Sequence, residues 1–83
     1  MTETDTLLQG FRAYLMTKQG DTVFANRCVN AMRKRFLPET TLDELRTTPY
    51  YTLADRFSNT AGGKRYCRII IRKFQEYLQE ANA

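Results

Sequence analysis

Apolar residues recur every three or four positions along most of this 83-residue chain, and each run stops at a residue that cannot continue it. A period near 3.6 commits a chain to amphipathic helices that must bury their faces on one another. In DTLLQGFRAYLMTK, residues 5–18, Leu7, Leu8, Phe11, Tyr14 and Leu15 share one face. Thr4 or Asp5 is its expected cap and Gly20 its expected stop. In residues 22–36, TVFANRCVNAMRKRF, the residues Phe24, Ala25, Cys28, Val29, Met32 and Phe36 span an arc of about 140° at 100° per residue. Asp21 or Thr22 can cap that helix, and Pro38 forbids its continuation.

Two shorter runs follow. TLDELRT, residues 41–47, has Thr41 and Glu44 at capping-box spacing. Pro49 opens a fourth helix over 50–58 with Tyr50, Leu53, Ala54 and Phe57 turned inward. NTAGG, residues 59–63, reads as a turn, and a last helix is predicted over about 64–80. On it Tyr66, Cys67, Ile70, Ile71, Phe74, Tyr77 and Leu78 form the core arc, while Ile69 falls among polar positions. No strand pattern competes, so the expected fold is all-α: a compact bundle of four to five helices in a single domain, residues 1–83.

Charge is distributed unevenly within the net +4. From Thr22 to Phe36 the chain carries Arg27, Arg33, Lys34 and Arg35 and no acid. From Arg56 to Gln75 it carries Arg56, Lys64, Arg65, Arg68, Arg72 and Lys73, again with no acid. Between these blocks the sign reverses, with Glu39, Asp43, Glu44 and Asp55 against Arg46. Lys64, Arg65, Arg68 and Arg72 occupy an arc of about 100° opposite the core arc of the last helix, so charge and core need not compete there.

The chemistry available is narrow. The chain has no His, which removes the commonest general base and metal ligand. Cys28 and Cys67 are too few for a disulfide scaffold or a metal centre, and both fall on apolar arcs as small hydrophobes. No glycine loop has phosphate-cradling spacing, and no stretch approaches a membrane span. These features predict a protein that is not an enzyme, binds no cofactor, metal or small-molecule substrate, avoids membranes and resides in the cytoplasm.

Two Arg-rich helix faces point instead to a polyanion. Asn26 and Asn30 lie one turn apart beside Arg27, Arg33 and Lys34. Asn and Arg carry the planar forks that match base edges in the major groove, whereas Lys and Arg alone chiefly hold phosphate. The expected partner is double-stranded DNA, with Asn26, Asn30 and Arg33 supplying base contacts. Lys64, Arg65, Arg68 and Arg72 would form a phosphate-contacting face, with Lys64 and Arg65 in the first turn of the last helix. The competing expectation is a helical protein-interaction module that docks an acidic partner, with Val23, Tyr51 or Ile69 as exposed anchors.

The order of these pieces resembles the N-terminal core-binding, SAM-like domain of tyrosine recombinases and phage integrases. FRAYL closes the first helix; Gly20, a Thr22 cap and a second helix ending in Phe36 follow. TTLDELRTTPYYTLADRF fits the variable middle, and IIIRKFQEYL fits the closing helix through Ile71, Phe74, Tyr77 and Leu78. Ala25 and Val29 stand where that family usually has Thr and Tyr, and Arg33 where it usually has Leu. The resemblance implies a domain that clamps one face of a recombination half-site in DNA integration. It also implies a separate catalytic domain as partner in the same parent chain, unless the protein stands alone.

Overall fold

A computed structural model describes residues 2–81 of the chain. The protein is all-α, with helices α1 (Glu3–Gln19), α2 (Thr22–Ala31), α3 (Leu42–Thr47), α4 (Tyr50–Phe57) and α5 (Ala61–Ala81). A π-helical turn, Met32–Phe36, extends α2. No helix among the described residues is long and apolar enough to cross a membrane.

Local chemistry sets the ends of the helices. α1 begins earlier than its apolar run suggests, because Thr2 and Asp5 form the capping box; the cap is Thr2, not Thr4 or Asp5. Gly20 ends α1 at φ 68°, a left-handed conformation that costs glycine little. The Asp21 carboxylate accepts from Phe24 N–H and starts α2, and the Thr41 hydroxyl accepts from Glu44 N–H and starts α3. α5 starts at Ala61, so residues 61–63 belong to the helix and not to a turn. The Thr60 hydroxyl accepts from Gly63 N–H, and Ser58 Oγ accepts from Thr60 N–H. A Cβ at Gly63 would run into Ser58 Oγ, so a glycine lets the cap close tightly.

All five helices feed one core. Leu8, Phe11, Leu15, Ala25, Cys28, Met32, Phe36, Leu45, Leu53, Ala54, Cys67, Ile70, Ile71, Phe74 and Leu78 are buried. Nearly every buried position lies on an arc expected from periodicity; Leu45 of α3 is an addition. Tyr66 departs from that expectation: periodicity assigns it to the core arc, and it stands 39% exposed. Gln75 of α5 also has an unforeseen structural role. Its Nε2 donates to the carbonyls of Leu45 (2.8 Å) and Thr48 (2.7 Å), closing the C-terminal end of α3.

At the α1–α5 contact, Phe11 meets Phe74 edge-on (5.1 Å, 80°), and Tyr77 packs beside Phe11, Phe74 and Tyr14. Tyr77 lies over Gly10, where an added Cβ would overlap the phenolic oxygen and come within 3.1 Å of Cζ. Gly10→Ala should therefore destabilise the protein by about 1 kcal/mol: overpacking costs about 1–3 kcal/mol and outweighs the ~1 kcal/mol helix-propensity gain. In a Tyr77→Phe background the clashing oxygen is gone, and the same change should become neutral or stabilising. Urea denaturation of the four proteins in a double-mutant cycle measures this coupling. Additive effects would mean that Tyr77 swings away freely.

One ion pair ties the middle of the chain together. Arg56 Nη1 on α4 donates to Glu44 Oε2 on α3 at 2.7 Å. That hydrogen bond, above all, holds the Glu44 carboxyl below its usual range. A folded-state pKa below the unfolded one adds stability above the unfolded value, and the gain disappears as pH falls through the folded value. The Tm difference between the wild type and Glu44→Gln should thus be full above the ordinary glutamate pKa of about 4.3 and close as pH falls through the lower folded-state value. A difference that persists in acid would show that the pair's charge does not matter.

Candidate nucleic-acid interface

The basic blocks that lack acids in the sequence acquire them in space. Asp55 of α4 reaches both Lys64 (3.7 Å) and Arg68 (3.6 Å) on α5. Arg72 and Lys73 share Glu76, and Arg56 takes Glu44. Asp55 from the acidic middle and Glu76 of α5 itself therefore partly neutralise the expected phosphate face. Because the helix begins at Ala61, Lys64 closes the first turn of α5 and Arg65 opens the second. Exposed pairs of this kind are worth only about 0–1 kcal/mol each, so they lower local positive potential more than they lock the side chains.

The outer face of α2 divides in two. Arg12 of α1 donates through Nε to Asn26 Oδ1 at 2.8 Å, and Arg33 pairs with Asp5 at 3.6 Å. Both side chains are drawn toward α1. Reading adenine in bidentate fashion requires the Asn oxygen to accept from the base, and in Asn26 that oxygen already serves Arg12.

Arg27, Asn30 and Lys34 face the other way. With Ala31 and Arg35 they line a shallow, open groove of about 350 Å³ whose far side carries Tyr66 of α5. Among the described residues Arg27 and Lys34 have no carboxylate within ion-pair distance, and neither has Arg35, whose Nη2 donates to the Phe57 carbonyl at 3.2 Å. Six basic side chains lack such a partner among the described residues, and three of them border this one groove.

The π turn explains how three consecutive cations come to be displayed. Leu37 N–H donates to Met32 C=O, a bond that spans one residue more than an α-helical bond. In this wider turn Met32 and Phe36, four residues apart, both point into the core. Arg33, Lys34 and Arg35 between them all face out. Arg33 leans to Asp5, Arg35 to the end of α4, and Lys34 stays on the groove. Besides the small side chain of Ala31, the groove residues outside the set expected from sequence are Arg35 and Tyr66. The run MRKRF signals the first only as charge, and helical periodicity assigns the second to the core.

Other features offer less chemistry. A second hollow, lined by Tyr14, Glu76, Gln79 and Glu80, has the wrong sign for a polyanion. Burial pushes the Cys28 thiol up to about 11 and raises that of Cys67 as well, so neither supplies a thiolate near neutral pH. Among the described residues no three His, Cys, Asp or Glu side chains gather as a metal site would require. No family model, curated protein or solved structure matches the chain.

Proposed function

We propose that this protein is a DNA-binding domain that grips duplex DNA through the α2–α5 groove and has no catalytic residues of its own. The observation that carries the reading is the convergence of Arg27, Lys34 and Arg35, none with a carboxylate partner among the described residues, on one groove with Asn30. Arg27 and Lys34 hold phosphate, and Asn30 is the side chain of this face with both amide ends free for a base edge. Arg65, Arg68 and Arg72 extend the positive surface along α5, and Lys64 and Arg68 trade Asp55 for phosphate when DNA is bound. The likeness to the core-binding domain of tyrosine recombinases supports the same reading through its helix order and core positions, and it implies a catalytic domain as partner in the same parent chain unless the protein stands alone.

A protein partner is the second reading, because Val23, Tyr51 and Ile69 are exposed apolar side chains. They lie on α2, α4 and α5 rather than on one helix face. Titration of random-sequence duplex DNA over a range of salt separates the two. DNA binding gives a log K that falls linearly with log salt, with a slope of about −0.9 for each phosphate held. No duplex binding even at low salt, with a salt-tolerant complex to one acidic protein, would establish the second reading instead.

A further inference from the structure

Eight of the ten aromatic side chains pair with another ring, and Phe24 packs against the core. Tyr66 does neither. Its neighbours along α5, Cys67 and Ile70, are fully buried, yet Tyr66 keeps 39% of its surface exposed on the wall of the cationic groove. Its hydroxyl makes no hydrogen bond to any described residue. Ile69, three residues on, is 40% exposed as well. The groove thus sets an apolar, flat surface against Arg27, Lys34 and Arg35, with Asn30 between them in sequence.

Phosphate contact explains the cations and leaves the ring without a use. In an intact duplex each base face is covered by its stacked neighbours, so a phenol ring beside the backbone meets only sugar and phosphate. A base face becomes available where a strand is unpaired, and stacking on an aromatic side chain is then favourable for any base. Resting on the nucleic-acid reading above, we propose that the groove is a site for an unpaired nucleotide, as found in single strands, gaps and frayed ends. Tyr66 stacks on the base, Arg27 and Lys34 hold the flanking phosphates, and Asn30 meets the base edge. The ligand class is therefore DNA that offers an exposed base face next to its backbone, in preference to fully paired duplex.

The chain has no Trp, so Tyr66→Trp introduces a single indole as a reporter at this position. Its emission should be quenched by a short oligothymidylate and by a duplex carrying a one-nucleotide gap, and clearly less by the intact duplex at saturation. In parallel, Tyr66→Leu should weaken binding to the oligothymidylate and gapped duplex by about 5- to 150-fold, the range set by one stacked base. The loss on the intact duplex should be clearly smaller than on the gapped one, and the Tm should match the wild type, since the ring is not part of the core. Equal affinity of the wild type for intact and gapped duplex, or an unchanged preference in Tyr66→Leu, overturns this proposal while leaving duplex binding standing. Absence of binding to every one of these DNAs overturns both.

Discussion

Phe74→Ala should cost about 3–5 kcal/mol and lower the Tm by at least about 12 °C. The side chain is fully buried where α5 crosses α1, with its ring edge-on to Phe11 and beside Tyr77. Truncation removes the burial of a large aromatic and leaves a cavity that surrounding helices fill only in part. Small domains command roughly 0.05–0.15 kcal/mol per residue, so this single change takes a large share of the total. Circular dichroism melts of the wild type, Phe74→Ala and Phe74→Leu provide the measurement. Phe74→Leu refills most of the volume and should fall between the other two. A Tm for Phe74→Ala within a few degrees of the wild type would mean that α1 and α5 are not joined through this cluster. Ile69→Ala on the exposed side of the same helix should shift stability by less than about 0.5 kcal/mol.

The contrast between Phe74 and Ile69 is legible in the sequence, because periodicity sorts the two faces of one helix. Local signals did equally well elsewhere. Gly20 takes the left-handed end of α1, Asp21 and Thr41 cap the helices that follow them, and Leu53 and Ala54 turn inward. What escaped the sequence depends on contacts between distant segments. Asp55 neutralises part of α5 only because α4 packs against it, and no spacing rule shows that Lys64 and Arg68 share one carboxylate. The π turn is an insertion in hydrogen-bond register, and Met32 and Phe36 sit four apart in either an α or a π turn. Thr60 and Ser58 cap α5 together through two hydroxyls, so a stretch rich in Asn, Thr and Gly begins a helix that it ordinarily interrupts. Tyr66 lies at the edge of its core arc, where packing, and not period, decides between core and solvent.

Those non-local contacts decide which cations are available to a polyanion. The sequence places the phosphate face on Lys64, Arg65, Arg68 and Arg72; the ion pairs move the weight of positive charge to Arg27, Lys34 and Arg35. Arg27→Gln with Lys34→Gln should reduce the slope of log K against log salt by about 1.8, for every duplex sequence alike. At low salt the loss of two charge-assisted contacts should weaken binding by more than about tenfold. Both side chains are exposed and pair with no carboxylate among the described residues, so the double variant should melt with the wild type.

The direct comparison is with Arg68→Gln, Arg72→Gln, which removes the same formal charge from the ion-paired arc of α5. Duplex titrations of the wild type and both double variants at several salt concentrations measure which face carries the phosphates. The expected result is a slope reduced by about 1.8 in the α2 variant and by less than about half of that in the α5 variant. The reverse order, or a slope unchanged in the α2 variant while its melting temperature is also unchanged, would contradict the assignment of the groove.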